Sequence, residues 1–485
     1  MISLSELSSN QTFYIVYIIL LIFVCIHIIM YVDKPAKALA YILLVLLLPI
    51  IGAVLYFSIG VNYRKEKYFD AKILTNDQVF EEARLRLLEH SSELIDKVQL
   101  GRYSKLAKFT NIHSFTSYNN RVKLLINGEN KFPDLLEAIA NAKNHVHIEY
   151  YIFENDDIGN KIAEALMAKA REGVKVRLIY DDFGSSSIRK KFVKRLSEAG
   201  VEAFAFYKLK LVKLANRMNY RNHRKIVVID GIIGYVGGIN VGDGYVNNGK
   251  KDLYWRDTHV RIEGLSVWNL QYIFLTDWNF ASKQDLKINN DFFPIQKEKE
   301  FFGKTLVQVI SSGPDSDLPN IRYSIVRGIM SAKNRICITT PYFIPDSSII
   351  DALITARLSG VHVQLMIPGI SDSKFVNLVS CSYYDDLLRE GVEIFKYQKG
   401  FIHAKTMILD DQVGFVGTAN LDNRSFELNF EVNSIIYDND FAKQMINQFE
   451  LDKKDCEQLH FEEWNDRSVF IKLAERACRL SSPLL

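Results

Sequence analysis

The sequence predicts an α/β protein of two similar sheet-bearing units in a pseudo-two-fold pair, preceded by an N-terminal two-helix transmembrane hairpin. Three observations carry this reading. The pattern His-x-Lys-x4-Asp occurs twice, as His223, Lys225, Asp230 and as His403, Lys405, Asp410, and each copy runs into a glycine-rich segment ending in asparagine, GYVGGIN at Asn240 and GFVGTAN at Asn420. The words before each copy repeat as well: LLEAIANAKN and HVHIEYYIF match SIVRGIMSAKN and RICITTPYFIP, REGVKVRLIYDD matches RLSGVHVQLMIPG, and RLSEAGVEAFAFY matches LLREGVEIFKYQ. Finally, two long apolar runs open the chain.

The first run, Phe13 to Val32, has 20 residues without formal charge, and the second, Ala38 to Ile59, has 22. About 20 such residues cross a bilayer as a helix. The DKPAK segment between them suits a tight turn, with Pro35 in place. Pro49 and Gly52 are tolerated in membrane helices. A cleaved signal peptide fits less well: MISLSELSSN has no Lys or Arg, no small-residue cleavage pattern follows, and a second apolar run comes at once. Spans of about 13–32 and 38–59 within residues 1–60 are therefore expected. Arg64, Lys65, Lys67 and Lys72 outnumber Lys34 and Lys37 of the turn, which directs both ends and the C-terminal bulk to the cytoplasm.

Residues 61–115 are charged, glycine-poor and helical in period, and read as a connector. The first α/β unit is expected over 116–295 and the second, with a C-terminal helix, over 296–485. In both, apolar β-branched runs alternate with amphipathic helices, the pattern of a largely parallel, buried sheet. The segment 208–222 lengthens the first unit just before His223 and interleaves Lys208, Lys210, Lys213, Arg217 and Arg221 with apolar residues. It is either a solvated loop or a basic, apolar lip against an anionic membrane. Near the C-terminus, Val469, Phe470, Leu473, Ala477 and Leu480 fall on one helical face, which reads as a helix docked on the protein core in preference to a membrane-surface helix.

A net charge of +3 over 485 residues is too small to imply nucleic-acid binding. The five cysteines, Cys25, Cys337, Cys381, Cys456 and Cys478, are odd in number and scattered, which fits a reducing compartment rather than a disulfide framework. They form no CxxC or Cys/His cluster, so no zinc site is expected, and no carboxylate cluster has the character of a magnesium site.

Two imidazoles from matching half-sites can serve one phosphorus atom. A neutral histidine attacks a phosphodiester to give a phosphohistidine, and a protonated partner supplies the departing alkoxide with a proton. That partner then activates the incoming hydroxyl. On a strand, His223 and Lys225 would project from one side, as would His403 and Lys405. The lysines would neutralise the non-bridging phosphate oxygens, with Asn240 and Asn420 donating amide hydrogen bonds to the same oxygens. No metal or other cofactor is required. Each histidine needs a carboxylate on Nδ1 to fix its tautomer. Asp257 in WRDTHV and Glu431 in NFEVN stand at similar downstream offsets and are expected in that role. Asp230 and Asp410, at strand ends before turns, are expected to hold those turns. Attack is assigned to His223 and proton transfer to His403. His145, His147 and His259 read as strand residues, and Tyr150, Tyr151, Tyr342 and Phe343 as either a lipid entrance or core.

The duplicated motif resembles the phospholipase D superfamily, and the surrounding words resemble bacterial cardiolipin synthases: HIEYYIFENDDIG, RLIYDDFGS, NHRKIVVIDG, YVGGINVGDGY, WRDTHVRIEG, TPYFIPD, GFIHAKTMILDD, VGTANLDNRSFELNFEV and the closing SSPLL. The resemblance covers essentially the whole chain. It implies two phospholipase D-like domains whose signature catalytic residues are His223, Lys225, Asp230, His403, Lys405 and Asp410. It further implies transfer of a phosphatidyl group between two phosphatidylglycerol molecules at a lipid bilayer, giving cardiolipin and glycerol. A hydrolytic phospholipase D, or a synthase of another phospholipid, would use the same chemistry. A nuclease would want a broad basic face and no double anchor. A non-catalytic scaffold does not account for two intact motifs. A route from a CDP-activated lipid would need metal-binding carboxylates that are not present. No motif bears on oligomeric state.

Overall fold

The computed structural model describes residues 9–32, 35–57, 100–109, 114, 116–207, 220–248, 253–294, 302–316 and 318–482. Most of the expected connector, and residues 208–219 of the basic insert, lie outside this set.

The N-terminal region contains helices α1 (Ser9–Tyr31), α2 (Pro35–Leu47) and α3 (Pro49–Leu55). Of these, α1 is long and apolar enough to cross a membrane, over Tyr14–Tyr31. The second apolar run is not one straight helix. Leu48 leaves helical geometry before Pro49, whose ring cannot continue a helix without distortion. Gly52 then packs so closely on the Leu44 and Val45 backbone that a Cβ would overlap it. The Tyr41 and Tyr56 rings end 5.5 Å apart, where fifteen residues of straight helix would separate them by about 22 Å. Ile28, Tyr41, Val45 and Tyr56 form a small core within this region.

The remainder is α/β. Its strands are β1 (Thr116–Ile126), β2 (His145–Tyr150), β3 (Lys175–Tyr180), β4 (Glu202–Ala205), β5 (Lys225–Ile229), β6 (Ile233–Gly237), β7 (Tyr254–Arg256) and β8 (Thr258–Gly264). There follow β9 (Thr305–Ser312), β10 (Arg335–Thr339), β11 (Phe343–Ile344), β12 (His362–Pro368), β13 (Glu393–Tyr397), β14 (Gly400–Ile402), β15 (Thr406–Leu409), β16 (Val413–Gly417), β17 (Leu421–Asp422), β18 (Glu431–Tyr437) and β19 (Cys456–Leu459).

Fifteen of these strands form one mixed sheet whose order is a palindrome about its centre. There β1 pairs antiparallel with β9. Outward from β1 come β8, β6, β5, β2, β3 and β4; outward from β9 come β18, β16, β15, β10, β12 and β13, with β19 as an extra edge. The duplication read from the sequence is thus a duplication of sheet order. The outer strands β2-β3-β4 and β10-β12-β13 are parallel, and the inner ones antiparallel. The sheet is therefore mixed rather than largely parallel. Strands β2, β5, β16 and β18 are buried at every residue, as a sheet covered by helices on both faces requires.

Hairpins β5–β6 and β15–β16 both turn through two successive positive-φ residues, Asp230 (52°) with Gly231 (68°), and Asp410 (51°) with Asp411 (56°). Asp and Gly tolerate that region where other residues resist it. The Asp230 carboxylate accepts the backbone N–H groups of Lys143, Asn144 and His145 at 2.7–2.9 Å. Asp410 repeats this with Lys333, Asn334 and Arg335, and adds Tyr103 at 3.0 Å and Arg102 at 2.9 Å. Each aspartate thereby ties its hairpin to the loop that enters β2 or β10. Residues 100–109 pack with the second unit, where Tyr103, Leu106 and Ala107 join its core.

The C-terminal helix Val469–Arg479 departs from expectation. Val469, Phe470, Leu473 and Leu480 are exposed, and Glu475 is the buried residue. Arg467 pairs with Glu475 at 2.6 Å, so burial of that carboxylate leaves no unpaired charge.

Candidate active site

Neither histidine lies in a regular strand. His223 follows the isolated bridge residue Asn222 and precedes β5, and His403 stands between β14 and β15. Both sit in breaks where the chain crosses to the other half. Asn222 bridges to Phe430, and the His223 N–H donates to the Phe430 carbonyl at 3.0 Å. On the other side β14 pairs parallel with β7, and the His403 N–H donates to the Arg256 carbonyl at 2.7 Å. Phe430 and Arg256 are the residues immediately before Glu431 and Asp257. This backbone pairing delivers each acid to the histidine of the opposite half.

Glu431 accordingly lies 2.9 Å from His223 Nδ1, and Asp257 lies 2.7 Å from His403 Nδ1. Both carboxylates are buried. An ionised carboxylate can only accept, so Nδ1–H donates and the Nε2 lone pair is left for chemistry. The two acids differ in length, and the residues that touch them compensate. Thr418 Oγ1 donates to Glu431 at 2.5 Å. The matching position in the first half is Gly238, where a Cβ would stand 2.1 Å from the Asp257 carboxylate. The shorter acid approaches because glycine leaves it room, and the Thr258 N–H holds it at 2.7 Å.

Lys225 and Lys405 each donate to the carbonyl of their own histidine, at 2.7 and 2.5 Å. Burial, together with the Lys405 charge, pushes Lys225 down to about 7, and burial pushes Lys405 down to about 8, although Glu431 and Asp257 favour the charged forms. Burial outweighs Glu431 and lowers His223. Burial with Lys405 outweighs Asp257 and pushes His403 down to about 3. Burial alone would raise Asp257, but His403 and Lys405 hold it below the usual carboxylate range. Both imidazoles are thus neutral near pH 7, and the two lysines, whose charged forms burial disfavours, gain charge most readily when an anion arrives.

Asn240 and Asn420 are buried near this centre. Asn240 Nδ2 donates to Tyr245 at 2.8 Å and its Oδ1 accepts from the Ile152 N–H, which leaves one amide hydrogen. Asn420 Oδ1 has no hydrogen-bond partner. Asp230 and Asp410 are not brought to the histidines. They stand at the opposite ends of β5 and β15 with their carboxylates engaged by backbone, a position suited to holding the scaffold.

Tyr151 lies edge-on to His223 at 5.0 Å, and Trp255 lies 5.2 Å from His403. Tyr150 and Phe343 are buried core. His145 and His147 share Gln271 deep in the structure, and His259 is likewise buried.

Two buried basic residues escaped sequence reasoning. Lys131 is fully buried, donates to the Ile239 carbonyl at 2.7 Å, and lies over the Tyr150 ring. Arg224 pairs with Asp277 and reaches the Glu431 carbonyl at 3.3 Å. Lys131 left no signal in a polar, helical word. Arg224 did: an arginine between His223 and Lys225, where the second copy has Ala404, must point into the sheet's other face and find a partner there.

The family model described as "Cardiolipin synthase, PLD-like domain" matches residues 135–258 and 325–453, and "Phospholipase D-nuclease N-terminal" matches 19–60. The chain is 42% identical over 457 residues to "Cardiolipin synthase" of Oceanobacillus iheyensis, covering 93% of this chain and 94% of that protein. It is 42% identical to "Major cardiolipin synthase ClsA" of Bacillus subtilis, covering 92% and 93%. A solved phosphatidylserine synthase of Haemophilus influenzae shares the fold, with TM-score 0.56 and 14% identity over 79% of this chain and 100% of that one.

Proposed function

The chain belongs to the cardiolipin synthases, phosphatidyltransferases with paired phospholipase D-like domains, and on that premise we propose how its own residues perform the transfer. One histidine Nε2 attacks the phosphorus of phosphatidylglycerol while the other, protonated, gives its proton to the departing glycerol oxygen. The phosphatidyl group is then held on the attacking nitrogen. A hydroxyl of a second phosphatidylglycerol, deprotonated by the other histidine, attacks phosphorus and releases cardiolipin. Lys225 and Lys405 hold the non-bridging oxygens. The bound anion raises the histidine pKa values, which supplies the acid form where it is needed. The observation that carries this reading is the crossed pairing His223–Glu431 and His403–Asp257, which closes both half-sites around one centre. The assignment of attack to His223 rests on no contact, because both histidines have matching partners. Asn240 and Asn420 serve the same phosphate, and Asp230 and Asp410 hold the hairpins behind the site.

The domains run over 116–295 and 296–485, joined to the apolar region by 61–115. Residues 13–32 and 38–59 enter the bilayer as a hairpin, supported by the exposed apolar surface of α1 and the family match over 19–60. The bend at Leu48–Pro49 then falls inside the second run. The Lys and Arg excess after Ile59 supports a cytoplasmic catalytic region.

The test is purified full-length chain with vesicles of phosphatidylglycerol alone and no nucleotide, products resolved by lipid mass spectrometry. Cardiolipin and glycerol are expected, and added glycerol should reverse the reaction. Phosphatidic acid without cardiolipin would make the protein a hydrolase.

A further inference from the structure

The helix Val469–Arg479 takes no part in the transfer chemistry, yet its exposed face is unusual. It packs on the helix Lys374–Cys381 with Glu475 turned inward to Arg467. The opposite side is apolar without interruption: Val469 is 75% exposed, Phe470 83%, Leu473 63% and Leu480, just past the helix end, 84%. At 3.6 residues per turn, 469, 473, 477 and 480 stack in one line with 470 beside it. Contiguous large apolar side chains at such exposure mark a contact surface.

Charge identifies the partner. The helix's one acid is buried, while Arg476 is exposed at the border of the apolar stripe; Lys472 is tied to Asn465 and Arg479 lies over the Tyr383 ring. Lys374 and Phe375, exposed at the start of the supporting helix, extend the same chemistry. An apolar face edged by cations fits an anionic lipid surface. The surface also adjoins the active site. Asn423, three residues after Asn420, donates to the Ser482 carbonyl at 3.1 Å. Asp372, just before the supporting helix, accepts from Tyr342 at 2.5 Å, and Tyr342 neighbours Phe401, whose ring lies 5.8 Å from His403.

We propose that Val469–Arg479 is an interfacial helix that lies in the surface of an anionic bilayer and holds the catalytic site against its lipid substrate. The proposal rests on the phosphatidyl-transfer reading only for its kinetic assay. The direct probe is full-length Phe470→Trp in vesicles of phosphatidylglycerol and phosphatidylcholine, with and without brominated acyl chains. Quenching beyond that of the parent chain is expected. No added quenching overturns the proposal, as does cross-linking between copies through Phe470→Cys without quenching of the tryptophan, which would make the face a protein contact.

The kinetic probe is the pair Phe470→Asp with Leu473→Asp. The apparent KM for vesicle phosphatidylglycerol should rise about tenfold, while turnover of dispersed short-chain phosphatidylglycerol stays within about twofold. Unchanged vesicle kinetics, or equal loss on both substrates, overturns it. If the parent chain makes cardiolipin from neither substrate, the functional reading fails, and the quenching still decides the helix.

Discussion

His403 Nδ1 lies 2.7 Å from the carboxylate of Asp257, 146 residues away in the other half of the duplication. The converse pair, His223 and Glu431, spans 208 residues. Each half therefore carries the carboxylate that is hydrogen-bonded to the other half's histidine.

Glu431→Gln should disable His223 and Asp257→Asn should disable His403, each through a misplaced tautomer. Losses of at least about 100-fold in kcat are expected, with little change in melting temperature. Turnover with purified variants checks this. Thr418→Val, which removes the hydroxyl holding Glu431, should give a smaller loss of the same kind, about tenfold. Near-normal turnover in Glu431→Gln would break the crossed-pair account.

Asp410→Ala should act on stability rather than chemistry. It leaves three backbone N–H groups and Tyr103 without their acceptor, a loss of about 2–4 kcal/mol. Burial would raise this carboxyl, but the N–H donors of Arg335, Asn334 and Lys333 hold it below the usual carboxylate range. Its contribution is therefore complete above the unfolded carboxyl pKa and fades as pH falls through the depressed folded value. Chemical denaturation of parent and variant at pH 7 and below pH 4 measures this, and the difference between them should shrink at the lower pH.

The alkaline limb of kcat/KM reports the free enzyme's lysines. Burial lowers Lys225 to about 7 and Lys405 to about 8, so the phosphate-binding charge is present below this window and lost as pH rises through it. Activity should fall between pH 7 and 9 rather than near the ordinary lysine value. Lys225→Arg, which stays charged, should move the limb upward toward the Lys405 value of about 8 in whatever activity it retains. A limb that stayed in place in that variant would remove Lys225 from the assignment.

Much of the fold was legible because repeated words are repeated strands: HVHIEYYIF and RICITTPYFIP became β2 and β10, and the motif words became β5 and β15. The two acids were legible as residues but not as partners. Each follows its own half's histidine in sequence, whereas the pairing comes from β7 with β14 and from Asn222 with Phe430, contacts that no local pattern encodes. The same limit applies to the C-terminal helix. Periodicity located the face of Val469, Phe470 and Leu473, but burial of Glu475 depends on Arg467 and leaves that face outward. Pro49 was visible, yet the fold-back of α3 on α2 also needed Gly52 against the Leu44 backbone.

The histidines should behave as one unit. His223→Ala and His403→Ala should each cost several orders of magnitude, and the double variant should be little worse than the more severe single one. Losses that multiplied in the double variant would mean two independent sites.

The most direct measurement is acid-free rapid quenching of the full-length chain during turnover of phosphatidylglycerol, followed by peptide mass spectrometry. A phosphatidyl group is expected on the peptide bearing His223 or the one bearing His403, absent when that histidine is alanine, and accumulating when the other histidine is alanine and glycerol has departed. Cardiolipin formed at full rate with no modified histidine at any quench time would contradict the account.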